Sequence, residues 1–476
     1  MPVALANLIP CKHKEVFIMV VQHNLRAMNS NRMLSITQGT LNKSTEKLSS
    51  GYKVNRAADD AAGLSISEKM RKQIRGLTQA SLNAEDGISA VQTAEGALTE
   101  VHDMLQRMNE LAVKAANGTN STSDRQTIQD EVDQLLTEID RVAETTKFNE
   151  TYLLKGDEDK VTKYLSAHDA GLKGTLTQGA TNATFAMEEL KFGDTIKIAG
   201  REYHISGTAA EQKAIIAGSV KAGQQVTIDG IMYTCTSATV SNADKFELTL
   251  TDLQAKINTS SGVSVMIVNG KTYYGSGITN DKNVTTSAAA YKMIQKELGL
   301  ASSIGADGST PATVGAVTDG TGALAGKKVF TITKGEVEVR EAMDFSLHVG
   351  ADADMTNKIA VKIDSLDTKG LGIQGLNVKD PNGAAATYAI DAIADAVAKI
   401  SAQRSLLGAV QNRLDHTINN LDNVVENTTA AESQIRDTDM ATEMVKYSNN
   451  NVLAQAGQSM LAQSNQANQG VLSLLG

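Results

Sequence analysis

Residues 60–116 read DAAGLSISEKMRKQIRGLTQASLNAEDGISAVQTAEGALTEVHDMLQRMNELAVKAA, and this stretch decides the fold. It contains no proline, and apolar residues recur every seven positions, at Met70, Leu77, Ala84, Val91, Leu98, Leu105 and Ala112. A second apolar set follows three or four residues later, at Ile74, Ile88, Val101 and Met108. The two sets predict one helix, roughly 85 Å long, whose apolar stripe packs lengthwise on other helices.

The chain supplies two partners for this stripe. One apolar series with the same rhythm is Ile128, Val132, Leu135, Ile139 and Val142. The other lies far away in sequence, at Ile393, Val397, Ile400, Leu407, Leu414, Ile418, Leu421 and Val425. Helices with a 3.5-residue rhythm pack at shallow angles. The predicted fold is therefore mainly α at both ends, a long antiparallel coiled-coil-like bundle of N- and C-terminal segments, with inserted β-rich α+β outer domains.

The ends of these helices carry stop and start signals. Gly51 is a natural stop for a preceding helix. Asp59 and Asp60 place carboxylates at the start of the long helix, where capping and the helix dipole both favour them. The stretch Ser123–Gln126 resembles a capping box, and the helix that it starts is expected to end near Phe148-Asn149.

The middle of the chain contains an internal repeat. Three alternating apolar runs each end in a turn containing Gly, at Gly200, Gly230 and Gly270, and a Tyr follows three residues later each time. Asp-Gly and Asn-Gly between strands favour type I′ hairpins, because both central residues need positive φ. Short helical patterns at Leu250–Ile257 and Ala288–Leu300 complete small β/α modules.

Composition excludes several classes of protein. The chain has 476 residues and a formal net charge of −9, with no basic stripe that would bind nucleic acid. Cys11 and Cys235 lie too far apart for a metal motif or a disulfide framework. No apolar run reaches the ~18–20 residues of a membrane span, so no membrane insertion is expected. Residues 1–18 have neither helical period nor the order of a secretory signal, and we expect Met19 to be the start of the mature protein.

Catalytic motifs are absent from the sequence. None of the seven His forms an HExxH pair, no nucleophile elbow is present, and no Gly-rich phosphate loop follows a strand. We therefore expect no enzyme activity, no cofactor and no metal. The 16 Met suit the filling of a helical seam better than a binding surface. The Ser and Thr of the middle leave open whether it carries O-linked glycans.

Both termini resemble bacterial flagellin. The stretches that carry the resemblance are LSSGYKVNRAADDAAGLSIS from Leu48, IRGLTQASLNAEDGISAVQTAEGAL from Ile74, LQRMNELAVKAANGTN from Leu105, EIDRVAETTKFN from Glu138 and QSNQANQGVLSLLG from Gln463. They extend over Met19–Leu154 and Ile390–Gly476, and residues 1–18 match nothing in the family. The middle matches only in being the region where family members differ.

The resemblance implies a secreted subunit of the extracellular flagellar filament that serves swimming motility. It implies an inner coiled-coil domain made of residues 19–60 and 435–476, and a helical filament core made of residues 61–160 and 386–434. The variable outer domains would be residues 161–385, and residues 1–18 would be an upstream extension. Implied partners are other copies in a homo-polymer, an export chaperone, the filament cap, hook-associated junction proteins and a host toll-like receptor. A hook–filament junction protein, or a filament subunit with an adhesive middle, stays an alternative.

Polymerisation is expected to involve apolar residues of the two termini, whose helical patterns are too weak to be stable alone. These residues are Leu25, Met28, Leu48, Met460, Leu461, Val471, Leu472, Leu474 and Leu475.

The resemblance places receptor contacts on the stretch LQRMNELAV and on the following helix. The residues are Gln106, Arg107, Glu110, Leu111, Lys114 and Glu131. With Leu105 on the seam, a 100° step turns Arg107, Glu110 and Lys114 outward and puts Leu111 on their flank. Arg107 and Leu111 are therefore expected to form an exposed charged and apolar pair. Without the family match this would be an ordinary solvated helix face, and the same face could instead serve subunit packing.

Overall fold

The computed structural model describes residues 24–237, 246–257, 264–276, 278 and 281–475, with the backbone alone at 468 and 471–475. The predicted extension 1–18, the predicted start at Met19 and Cys11 lie outside the described residues. So do the side chains of Val471, Leu472, Leu474 and Leu475. Within the described ranges no helix is long and apolar enough to cross a bilayer.

Helices occupy both ends of the described chain. In order they are α1 Leu25–Ser50, α2 Ala61–Ala116, α3 Thr122–Thr145, α4 Ala209–Ser219, α5 Leu250–Ala255, α6 Ser287–Ser302, α7 Thr368–Leu371, α8 Ala384–Arg436 and α9 Met440–Leu475. The helices predicted around Leu105 and Leu407 are therefore single and continuous. The middle holds the strands, and the predicted fold class is confirmed.

The strands form six small sheets. In order they are β1 Lys147–Phe148, β2 Thr151–Tyr152, β3 Lys160–Tyr164, β4 Thr175–Gln178, β5 Asn182–Glu188, β6 Thr195–Ile198, β7 Arg201–Ser206, β8 Gln225–Ile228, β9 Ile231–Cys235, β10 Glu247–Leu248, β11 Val265–Val268, β12 Lys271–Tyr274, β13 Val284–Thr286, β14 Thr313–Val314, β15 Thr318–Asp319, β16 Lys327–Thr333, β17 Glu336–Arg340, β18 Met343–His348 and β19 Lys358–Ile363. The larger sheets have the orders β10-β9-β8-β11-β12, β14-β16-β5-β4 and β13-β7-β6. β15 also pairs with β16, and the three two-stranded sheets are β1-β2, β17-β3 and β18-β19.

The described chain divides into two compact units. The first comprises the described residues up to Leu82, Val349–Asn357, and those from Thr417 onward. Here α1 packs along α9, and the side chain of Asn24 donates to the carbonyl oxygen of Ser464 at 3.3 Å. The start of α2 meets the end of α8, where the Ser67 hydroxyl donates to Glu432 at 2.7 Å.

The second unit comprises the described residues of Asn83–His348 and Lys358–His416. Its helical core joins α2, α3 and α8, with Leu98, Leu105, Val132 and Ile400 fully buried. The series predicted from Ile128 and Ile393 supply partners in this core. Buried residues of the range 361–378, which the sequence assigned to the outer segment 161–385, pack into the same core. The domain bounds themselves stay a prediction.

The helix caps follow the sequence in part. Gly51 has φ +76° and ends α1, and the Asp60 side chain accepts a hydrogen bond from Gly63 N–H at 2.9 Å, both as predicted. The prediction for Asp59 was wrong, because its carboxylate accepts from the backbone N–H groups of Arg56 (3.1 Å) and Asn55 (3.3 Å). These bonds, led by the one from Arg56, lower the pKa of Asp59.

The third helix begins and ends earlier than predicted. Its capping box is formed by Ser121 and Asp124, not by Ser123 and Gln126. Asp124 suits this position better than Gln126, because its ionised carboxylate accepts a hydrogen bond from the N-cap N–H. Its negative charge is also stabilised by the positive end of the helix dipole. At the other end α3 stops at Thr145, since the chain turns into the β1-β2 hairpin.

All three predicted hairpins are present. The turns Ala199-Gly200, Asp229-Gly230 and Asn269-Gly270 have positive φ at both residues. They connect β6 to β7, β8 to β9, and β11 to β12 in antiparallel register. Tyr233 and Tyr273 point into a core shared with α4 and α5. The predicted helices become α5 and α6 with bounds shifted by a few residues.

The segment between β7 and β13 has a core of its own. It leaves β7 at Gly207 and comes back beside it at Gly275, before β13, and these two residues form an isolated β-bridge. The Gly207 backbone N–H donates to the Tyr274 carbonyl oxygen, and the Ser276 backbone N–H donates to the Gly207 carbonyl oxygen, both at 3.0 Å. A Cβ at Gly207 would lie 2.4 Å from the Phe192 ring, so glycine is needed for this close approach. The segment therefore enters and leaves through one neck.

We expect the protein to fold without the inserted segment. Joining Gly207 to Gly275 through a short glycine linker removes a core whose buried residues all lie within the segment, although Phe192 packs against it from outside. Loop closure across adjacent ends costs little. The helical core should then melt cooperatively at nearly the same temperature by circular dichroism.

Deletion of Lys358–Val378 is the matched control. It removes side chains buried against α2 and α8 and should abolish cooperative melting. If the linker variant loses cooperative melting too, the inserted segment is part of the structural core.

Candidate functional site

An ion-pair cluster lies on the predicted receptor-facing side of α2 and α3. Arg107 donates through Nε and Nη2 to one oxygen of Glu131, at 2.9 and 2.8 Å. Its Nη1 donates to Glu110 at 3.1 Å. Hydrogen bonds to Glu131, and next to Glu110, raise the pKa of Arg107. The exposed Gln106 side chain contacts His102 Nε2 at 2.8 Å, and Lys114 is also exposed. Five of the six predicted residues therefore share the outer surface.

Leu111 is the exception, and the prediction that it faces outward was wrong. It is only 2% exposed and belongs to the helical core. The sequence argument allowed for one buried stripe, but α2 is covered along a wider arc because α3 and α8 belong to the same core. Ala115 is buried on the same flank, which shows that the arc continues there. The apolar half of the predicted Arg107–Leu111 pair is therefore absent from the monomer surface.

The predicted polymerisation residues with described side chains fall into two groups. Leu25, Met28 and Met460 are more than half exposed, whereas Leu48 and Leu461 are half-buried. The structure adds residues not singled out from the sequence as contacts, each between 48% and 62% exposed: Met33, Ile36, Met440, Met444, Val445, Val452 and Leu453.

A buried arginine was missed by the sequence analysis. Arg125 is 3% exposed and donates to three carbonyl oxygens, those of Ala115 (2.8 Å), Asn117 (3.0 Å) and Pro381 (3.0 Å). It therefore ties the end of α2 to the start of α3 and to the turn before α8. No local pattern signals this role, since the third acceptor lies 256 residues away.

Comparison with known proteins bears on both helical ends. The model of the bacterial flagellin N-terminal helical region matches residues 21–159, and that of the C-terminal helical region matches residues 390–475. A flagellin of Clostridium tyrobutyricum is 37% identical over 462 residues, which covers 95% of this chain and all of the relative. The chain belongs to the bacterial flagellin family. Flagellins of Salmonella typhimurium (34% identical, 94% of this chain and 99% of the relative) and Bacillus subtilis (34%, 96% and 100%) agree.

Solved structures show weaker likeness. FliC from Burkholderia pseudomallei is 19% identical, with 69% of this chain and 99% of that chain covered, at a TM-score of 0.27. The flagellar junction protein FlgL from Legionella pneumophila is 14% identical, with 78% and 99% covered, at a TM-score of 0.31. Scores this low do not distinguish a filament subunit from a junction protein.

Membership of the flagellin family settles the class of function. This flagellin is a structural protein, the self-polymerising subunit of the flagellar filament. In the part of the chain that the structure describes, no three His, Cys, Asp or Glu side chains are grouped to hold a metal ion. A filament subunit acts through the surfaces that meet its neighbours, so the exposed helix faces are the candidate site.

Proposed function

We propose that the uncovered apolar faces of α1 and α9 are subunit contacts of the filament. The observation that carries this is the set of ten large apolar side chains on these two helices, each 48–65% exposed. On α1, Leu25, Met28 and Ile36 fall within about 80° of one another at 100° per residue. A soluble monomer rarely exposes apolar side chains at this density unless they serve an interface.

Burial of these apolar side chains between subunits would release enough free energy to stabilise a polymer. Full burial of a Leu, Ile, Val or Met side chain stabilises by ~1.5–3 kcal/mol, so even partial burial of this set supplies several kcal/mol per subunit. The two-helix pair of α1 and α9 buries little of its own, with Ala454 as the only fully buried apolar side chain of described α9. Polymerisation therefore offers these helices the core that the monomer lacks.

Other roles extend the same proposal. We propose that the chain is exported to the cell exterior with an export chaperone, assembles under a filament cap and joins hook-associated junction proteins. The family match at both ends supports these partners, and the segment bounds 19–60, 61–160, 161–385, 386–434 and 435–476 are proposed with them. No enzyme activity is proposed, because the role is structural.

Electron microscopy tests filament against junction subunit. Purified full-length protein, seeded with precipitant, should form long filaments whose subunit spacing repeats along the fibre. A junction protein would form only short oligomers, and that result would reject the filament role for the isolated chain.

The outer face around Arg107 is proposed as the contact for a host toll-like receptor. Gln106, Arg107, Glu110, Lys114 and Glu131 are exposed together, and the Arg107–Glu131 pair fixes the guanidinium at the surface. An ordered arginine at the centre of an interface is a frequent anchor of binding energy. Leu111 enters this proposal only as a support beneath the face, because it is buried.

Arg107→Ala is expected to weaken binding of the monomer to the receptor ectodomain roughly tenfold or more, as an interface anchor would. Surface plasmon resonance on folded monomer measures the affinity. Arg141→Ala is the matched control, since Arg141 is another exposed arginine paired to a nearby glutamate, Glu138, and should leave affinity unchanged.

Leu111→Ala is unsuitable as a probe, because a cavity in the core costs ~2–5 kcal/mol of stability. If the folded Arg107→Ala and Arg141→Ala proteins bind the receptor with equal affinity, the proposed receptor contact around Arg107 is rejected.

A further inference from the structure

The described methionines differ in exposure, and Met70, Met104, Met293 and Met343 are intermediate. Five on the two terminal helices are 48–63% exposed, namely Met28, Met33, Met440, Met444 and Met460. Others are buried in the second unit, namely Met108, Met187 and Met266. Met232 and Met355 are also exposed but lie outside α1 and α9. Half of the ten exposed apolar side chains on α1 and α9 are therefore thioethers.

A thioether is the apolar side chain that mild chemistry can make polar. Its sulfur lone pair attacks the terminal oxygen of a peroxide, the O–O bond breaks, and the oxygen stays on sulfur. The departing hydroxide takes up the proton that the transferred oxygen carried and leaves as water. The sulfur loses two electrons and the peroxide gains them. The resulting sulfoxide is polar and chiral, and it disrupts Met-rich interfaces.

We propose that Met28, Met33, Met440, Met444 and Met460 form an oxidation site, on which two-electron oxidants of the peroxide class act to block assembly. The inference rests on the proposed subunit contacts of α1 and α9. A sulfoxide oxygen buried in such a contact would be desolvated without a partner, which opposes association. In a formed filament the same sulfurs would be covered, so the monomer is the sensitive state.

Peroxide treatment of the full-length monomer tests the site. After treatment and removal of peroxide, peptide mass mapping should place oxygen on the five methionines, on Met232 and on Met355, but not on Met108 or Met266. Mapping also reports Met1 and Met19, so that oxidation there is assigned separately. The critical concentration for polymerisation should rise roughly tenfold or more, where each factor of ten corresponds to about 1.4 kcal/mol.

Reversal distinguishes oxidation from other damage. Treatment with the two methionine sulfoxide reductases, one for each epimer, should return the critical concentration to its starting value. Formed filaments exposed to the same peroxide should carry less oxygen on the five methionines than on Met355. Full oxidation of the five with an unchanged critical concentration overturns the proposal.

Matched variants locate the effect. Replacing the five with Leu removes the sulfurs at similar volume, so peroxide should not raise the critical concentration of this variant above the variant's own untreated value. Replacing Met232 and Met355 with Leu removes the other strongly exposed thioethers among the described residues and should leave full sensitivity. The opposite pattern, a sensitive five-Leu protein or a resistant control, overturns the proposal.

Two outcomes separate the inference from the function on which it rests. If the five-Leu protein fails to polymerise, the reductase reversal on the natural sequence decides. If untreated natural monomer never polymerises, the proposed subunit contacts fail. Normal assembly both before and after oxidation rejects the oxidation site alone.

Discussion

Removal of Gln463–Gly476 is expected to abolish polymerisation while the second unit stays folded. The deleted end contains Val471, Leu472, Leu474 and Leu475, and α9 runs to Leu475. Fully burying one Leu is worth ~1.5–3 kcal/mol, so losing four apolar residues should remove several kcal/mol per subunit from the polymer. The second unit loses none of its residues, since it ends at His416.

Sedimentation and electron microscopy measure the polymer, and circular dichroism follows melting of the monomer. A chain with Leu474→Ile and Leu475→Ile is the control, because it keeps length and apolar volume and should still polymerise. Filaments of normal length from the truncated chain would show that its apolar end is not a contact. The truncation also removes the Ser464 bond to Asn24, so some loss of α1 helicity is expected in the monomer.

Arg125→Met is expected to destabilise the monomer by at least about 3 kcal/mol. The substitution leaves three carbonyl oxygens without their charged donor, and each hydrogen bond to a charged group contributes ~1.5–3 kcal/mol. The Met side chain keeps the apolar stem, so the loss reports the hydrogen bonds rather than a cavity. Urea unfolding followed by circular dichroism measures the change in free energy.

Arg141→Met is the control for Arg125→Met. It removes an arginine from the same helix whose only described partner is Glu138, in an exposed pair. Exposed pairs contribute ~0–1 kcal/mol, so its effect should be small. Equal effects of the two substitutions would mean that the Arg125 contacts do not hold the three segments together.

The long helices were predictable because their apolar residues recur at a regular spacing along the sequence. Leu98 and Leu105 are seven residues apart on one stripe, and both are fully buried. The hairpins were predictable for a local reason, since Asp229-Gly230 and Asn269-Gly270 suit positive φ. In both cases neighbouring residues alone determine the outcome.

Features that depend on distant partners were not predictable. The burial of Leu111 needs a second packing surface, which a helical wheel does not contain. The alternation of Lys358–Ile363 predicts a strand, but nothing in it says that Val361 and Ile363 pack against α2 and α8. The sequence predicted that the candidate receptor face is charged and exposed. It could not predict the ion pair between Arg107 and Glu131, because these residues lie on two helices that only the fold brings together.

The neck at Gly207 and Gly275 has a consequence for how the sequence can diverge. Backbone hydrogen bonds of Gly207 with Tyr274 and Ser276 hold the two strands of the neck side by side, and packing of Tyr273 on Phe192 is a further link. Substitutions, insertions and deletions inside Thr208–Tyr274 therefore have few routes to the helical core. Selection can therefore change the sequence of this segment without disturbing the helices that serve motility. We expect the segment to accumulate substitutions faster than the helical ends of the same gene.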